Sequence, residues 1–303
     1  MSSSESEPLI LYVPGLLPKP EAGIHRDALL RCLLEGMRRV DPEMANDFEA
    51  RQHCFDIVSW TYDFYGEHRD FDIDRPAIDR LLAQTEPTER DVAEAVSWQR
   101  RLLRSVYKAG DLLPFLIPRL ANEKLEVHLR DLRRYTRNNR DIAEHTRRLL
   151  KVPLESAAAA GRPILLIGHS MGSVIAFDAL WQLSRREHKP VFIDLFMTMG
   201  SPLGQRFIQD RLLGAKDLGE RRYPANIDRW INIAAVGELT ALDRDLKNDF
   251  QPMLDYGLLT EIIDHEIFTW YRLKGALNVH AEYGYLVNEV TARVLRDWWR
   301  DYR

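Results

Sequence analysis

The segment Gly168-His169-Ser170-Met171-Gly172 constrains the fold more than any other part of the chain. It stands directly between an apolar run, Ile164–Ile167, and a second apolar, helix-compatible run, Ser173–Leu183. Strand, sharp turn and helix is the setting in which Gly-x-Ser-x-Gly has a steric meaning. So tight a turn forces the serine into a strained backbone conformation, and only small residues two before and two after let strand and helix close on each other. Gly168 and Gly172 supply them. The serine hydroxyl is then exposed above the carboxyl edge of a sheet, over a helix N-terminus with free N–H groups and partial positive charge. A glycine-bounded turn with a capping serine is the bland alternative, and the strand–helix context disfavours it.

Other apolar runs bounded by Gly or Pro read as buried strands: Leu9–Val13, Phe55–Trp60, Val191–Met199 and Trp230–Ala235, with a weaker sixth near Ile262–Phe268. Helical patterns separate them, which is the signature of βαβ units and an α/β fold built on a mostly parallel sheet. The stretch from Trp60 to Ile164 is far longer than one crossover needs. Leu125, Leu129, Leu132 and Tyr135 recur in it at helical spacing, continued less regularly by Ile142 and Leu149. That part is the crossover helix. The remainder, 70–121, reads as a helical insertion within a single domain spanning 1–303. It carries Trp98, Leu102, Leu103 and Val106 at helical spacing, then Asp111–Leu120, where two prolines forbid one regular helix. A helix pair packed on the sheet and a cap or lid over a site are both consistent with it.

A serine hydroxyl is a poor nucleophile without a base. Of the nine histidines, the base must follow the elbow, on a loop beyond the last strand. His188 lies in the charged loop 185–189 before the next strand, and His265 lies inside the sixth strand pattern. His280, in Asn278-Val279-His280 ahead of the terminal helical pattern Tyr285–Trp299, is the expected base. A carboxylate should orient its ring from the loop after Trp230–Ala235. Glu238, just past Gly237, is the first choice, Asp243 the alternative, and Asp245 lies further on where it would start or cap a helix. The oxyanion hole needs two N–H donors. One is Met171, the residue after the nucleophile. The other is Leu16, in Pro14-Gly15-Leu16-Leu17-Pro18, where Gly15 permits the bend and proline has no N–H to give.

With 45% hydrophobic residues over 303 positions, the chain can bury a sizeable core. A net charge of −4 with both signs interspersed gives no field that would attract nucleic acid. Arg133-Arg134 and Arg147-Arg148 are flanked by acids and read as solvated helix faces. The two cysteines, Cys32 and Cys54, make no disulfide framework. The polar start MSSSESEP is not a signal peptide, and no apolar stretch is long enough to span a bilayer. The expectation is a soluble cytoplasmic protein.

These features resemble the α/β-hydrolases, and among them the lipase- and esterase-type members. The resemblance rests on the strand before VPGLLP, the elbow GHSMG, Met199–Leu203 (MGSPL) after a strand, and the His280 loop, and covers most of the chain outside 70–121. It implies serine-dependent hydrolysis of carboxylic esters, including lipids, through an acyl-enzyme, with no metal or organic cofactor. Two positions depart from the pattern: Pro14-Gly15 stands where many members carry His-Gly, and Glu238 where Asp is commoner. Ser201, in Gly200-Ser201-Pro202, is read as a turn residue near the site. Rival readings are a peptidase or amidase on the same fold, a non-catalytic binding protein that retains it, and peripheral membrane contact through Leu112–Leu120. The pair Trp298-Trp299 is read as core packing of the last helix, with an oligomer contact as the alternative.

Overall fold

In the computed structural model the described residues are 7–97, 130–131, 133–138, 141–238 and 245–302. Six strands form one sheet in the order β2-β1-β3-β4-β5-β6: β1 Leu9–Val13, β2 Phe55–Ile57, β3 Ile164–His169, β4 Ile193–Met199, β5 Ile227–Ala235 and β6 Glu261–Ile267. Every neighbouring pair is parallel, in registers such as Tyr12 opposite Ile167 and Gly168 opposite Thr198. A hairpin, β7 Arg272–Leu273 and β8 Ala276–Leu277, follows β6.

Both sheet faces are apolar because helices cover both. Ile10 and Tyr12 of β1, with Leu165 and Ile167 of β3, face the helices Ala22–Val40 and Glu289–Arg300. Leu9, Leu11, Ile164 and Leu166 face the helices Ile142–Ala159 and Met171–Trp181. This alternation explains why the strands read as unbroken apolar runs. Trp298 and Trp299 are both buried in the first layer, so the core-packing reading holds for them. Cys32 and Cys54 are buried free thiols. Among the described residues no helix is long and apolar enough to cross a membrane.

Four local expectations change. The second strand ends at Ile57 rather than Trp60, because Trp60 turns back with its N–H on the Val58 carbonyl and its indole on the Pro14 carbonyl, 2.9 Å each. The helix after the elbow ends at Trp181 and passes into a π-helical turn, Gln182–Arg186. The terminal pattern splits into Glu282–Leu286 and Glu289–Arg300, because Asn288 is extended and caps the second helix, its side chain accepting from Val290 N. Arg147 is not solvated. It is buried against Tyr135, Gln182 and Glu144, 4.0 Å from Asp178, although its neighbour Arg148 is not part of that cluster.

Within 70–121 the described part is a turn at Phe71–Ile73 and the helices Arg75–Ala83 and Glu89–Ala95. It packs on the segment after β6: Trp270 donates to the Leu81 carbonyl, and Arg272 pairs with Asp91 and Glu94. The remaining 98–121, including Leu112–Leu120, lies outside the described residues.

Candidate active site

The strand order reverses between β1 and β3, since β1 leads outward to β2 and β3 begins the run to β6. In open α/β sheets the crevice at such a reversal, beyond the strand carboxyl ends, is where ligands bind. The loop after β1 and the Gly168–Gly172 elbow meet there. Ser170 has φ 52° and ψ −124°, a conformation that costs a non-glycine residue about 1–3 kcal/mol. It is held by its own N–H on the Met199 carbonyl at 2.9 Å, and by Ser173, whose N–H and hydroxyl both donate to the Ser170 carbonyl. A Cβ on Gly172 would lie 2.0 Å from the Val13 carbonyl oxygen, and one on Gly168 would lie 2.6 Å from the Ser173 Cα. Both elbow glycines are therefore sterically required.

His280 lies just beyond β8. Val279 accepts from the Thr269 hydroxyl, Asn278 Oδ1 accepts from the His280 N–H, and the His280 carbonyl lies 2.9 Å from His169 Nε2. The imidazole spans the crevice, with Nε2 2.9 Å from Ser170 Oγ and Nδ1 2.8 Å from Glu238 Oε2. A carboxylate only accepts, so Nδ1 carries the proton and Nε2 is free to accept from the serine hydroxyl. Glu238 sits at the end of β5, past Gly237 at φ 83°, and is 2% exposed. The same Oε2 accepts from the Tyr285 hydroxyl at 3.2 Å, and that hydroxyl accepts from Ala235 N–H. Asp243 lies outside the described residues. Asp245 caps the helix Leu246–Asp249, accepting from Asn248 N.

Gly15 abuts Ser170: a Cβ there would come 2.8 Å from Ser170 Cβ. Leu17, at φ 75°, donates its N–H to Tyr65 Oη, which fixes the loop that carries Leu16. Met171 is the first residue of its helix, so its N–H has no intrahelical acceptor. Ser201 is buried with its hydroxyl 2.7 Å from Ser173 Oγ, a support beneath the elbow. His188 stands in a loop at φ 51°, and His265 sits in β6 opposite Ile233, so neither joins the crevice group.

The family described as LCAT, lecithin:cholesterol acyltransferase, matches residues 134–207, the segment that carries the crossover helix, β3, the elbow and β4. The parallel sheet, with its elbow at the strand-order reversal, agrees with that match. The chain has an α/β-hydrolase fold. No curated protein and no solved structure matches it.

In this fold a cavity of about 330 Å³ is lined by Ser170, His280, the loop Gly15–Pro20 and a polar wall including Arg69, Asp74, Tyr271 and Glu282. Arg69 holds Asp74 through two hydrogen bonds, 2.6 and 2.9 Å, and the Tyr271 hydroxyl adds a third at 2.8 Å. Sequence reasoning missed this wall, and it missed Tyr285, His169 and Glu282. His169 and Glu282 were visible as polar residues within two positions of Ser170 and His280, but nothing in the sequence said that both are buried.

Proposed function

We propose that the protein is a serine hydrolase that cleaves carboxylic ester bonds through an acyl-enzyme. The observation that carries the reading is the unbroken chain from Ser170 Oγ through both ring nitrogens of His280 to Glu238, 2.9 and 2.8 Å, beside a cavity. The match to an acyltransferase family supports acyl chemistry on lipid esters at a coarse level. His280 takes the Ser170 proton as the hydroxyl attacks the ester carbonyl, and the N–H groups of Met171 and Leu16 receive the oxyanion. His280 then protonates the departing alcohol and next activates the water that releases the acid. Glu238 remains ionised and steadies the imidazolium. A second acceptor has support as well. The matched family is named for transfer to an alcohol, so the acyl-enzyme has two partners to test, water and a hydroxyl compound.

Labelling with a fluorophosphonate, followed by mass spectrometry, tests the nucleophile. The label is expected on the Ser170 peptide, absent in Ser170→Ala, and slowed in His280→Ala by on the order of 10⁴ or more. Folded wild type that takes no label, or an equal label on Ser170→Ala, would remove this function. Product analysis with and without an added alcohol then separates hydrolysis from transfer.

A further inference from the structure

Two buried polar side chains next to the site take no part in the steps above. Glu282, two residues past His280, is 4% exposed. Its Oε1 accepts from Lys19 Nζ at 2.8 Å and lies 2.9 Å from His25 Nε2, and its Oε2 accepts from the Tyr12 hydroxyl at 3.1 Å. These partners belong to β1, the loop after it and the helix Ala22–Val40. Burial alone would raise the Glu282 pKa, but Lys19 and His25 hold it well below the usual carboxylate range, so it is ionised. The residue before the nucleophile, His169, is 3% exposed. Its Nε2 faces the His280 carbonyl at 2.9 Å. A carbonyl only accepts, so Nε2 carries a proton, and in the neutral ring Nδ1 is a bare lone pair. That Nδ1 has no hydrogen-bond partner among the described residues and lies 3.8 Å from Glu282 Oε2. Burial first, and the neighbouring His280 second, take the His169 pKa down to about 3.

We propose that His169 and Glu282 are positioning residues for His280, an inference that rests on the roles given to Ser170 and His280 above. His280 sits on a loop beyond a two-residue hairpin strand, and loops are the mobile part of a fold. Its side chain touches the nucleophile and the acid, which must not be displaced. The loop is therefore held from behind. His169 grips the His280 backbone by its carbonyl, and Glu282 ties the segment after it to β1 and the helix Ala22–Val40. A hydrogen-bonding side chain that stays neutral suits the grip. The two rings are 4.8 Å apart, and a second cation there would oppose the charge His280 takes on during the reaction.

The test uses the full chain, a soluble p-nitrophenyl ester and the fluorophosphonate. Since misplacement of a reacting group by about 1 Å costs about 10²-fold, His169→Phe should lower kcat by about 10- to 100-fold with KM little changed. His169→Gln places an amide N–H where Nε2 was and should restore most of that loss. Equal rates for His169→Phe and wild type, or equal losses in the Phe and Gln variants, would overturn the proposal, the second outcome indicating packing alone. Should His169→Phe fail to fold, imidazole nitrogen NMR of the wild type decides. His169 is expected to carry its proton on Nε2 across pH 5–8, and an Nδ1–H ring with a bare Nε2, which cannot donate to the His280 carbonyl, would refute it. Failure of the proposed function reads differently, as a wild type that takes no label at Ser170.

Discussion

At the scale of single residues the acid is the sharpest question. Glu238 and Asp243 both follow β5; Glu238 is buried against His280, 2.8 Å from Nδ1 and steadied by Tyr285, whereas Asp243 lies outside the described residues. Glu238→Gln keeps the size and removes the charge that the imidazolium needs, so kcat should fall by on the order of 10³–10⁴. Asp243→Asn removes a carboxylate that the proposed relay does not use, so kcat should stay within about threefold. Esterase assays on the two folded variants check both, and the reverse ranking would move the acid to Asp243. The sequence marked Ser170, His280 and Glu238 because each follows a strand in an order this fold constrains. It gave no sign of Tyr285, whose hydroxyl reaches the acid from a helix that periodicity could only describe as apolar. Nor could it separate Arg147 from Arg148. Adjacent positions on a helix point in different directions, and which one meets the buried Asp178 depends on Tyr135, Gln182 and a tertiary fit.

At the scale of elements, the strands were legible because the sheet is covered on both faces and each strand is an apolar run rather than an alternation. Their ends were less legible, since termination depended on partners far along the chain, as with the Trp60 indole on Pro14. The hairpin β7–β8 has two residues per strand and offers no periodicity to read. The elbow was the clearest element, because its glycines answer a steric demand that a sequence pattern can carry. That demand is testable. Gly172→Ala drives a methyl to 2.0 Å from the Val13 carbonyl oxygen, which is backbone in a central strand. The loss of stability should reach or exceed the ~3 kcal/mol upper end of ordinary overpacking. Urea unfolding should register it as a lower midpoint at unchanged slope. An unaltered midpoint would mean that strand and helix are not held as close as this geometry requires.

At the scale of the whole molecule, two buried groups on the elbow and its helix set opposing pH dependences of stability. His169, ordinarily near 6.5, is brought down to about 3 by burial and then by the neighbouring His280. Between those values the unfolded chain binds the proton and the folded chain does not, so stability is lost as pH falls from about 6.5 toward 3. At 1.4 kcal/mol per pH unit this amounts to about 2 kcal/mol between pH 7 and pH 5. Asp178, on the helix that follows Ser170, is raised from 3.8 to about 6 by burial, with the Leu213 N–H, Arg147 and the Tyr135 hydroxyl pulling the other way. Here the folded chain binds the extra proton between pH 3.8 and about 6, so stability rises as pH falls through that window, offsetting about 1 kcal/mol of the His169 loss by pH 5. The wild type should therefore lose about 1 kcal/mol between pH 7 and pH 5 as far as these two groups are concerned, and single substitutions should expose each part. His169→Gln removes the loss, so the variant should gain about 2 kcal/mol relative to wild type on going from pH 7 to pH 5. Asp178→Asn removes the offset and should lose about 1 kcal/mol more than wild type over the same interval. Urea midpoints of the three proteins at both pH values measure this, each variant compared with itself so that any packing change common to both pH values cancels. Parallel pH responses in all three would mean that His169 and Asp178 each titrate alike in the folded and unfolded chains, which would contradict the buried, neutral ring assigned to His169 beside His280.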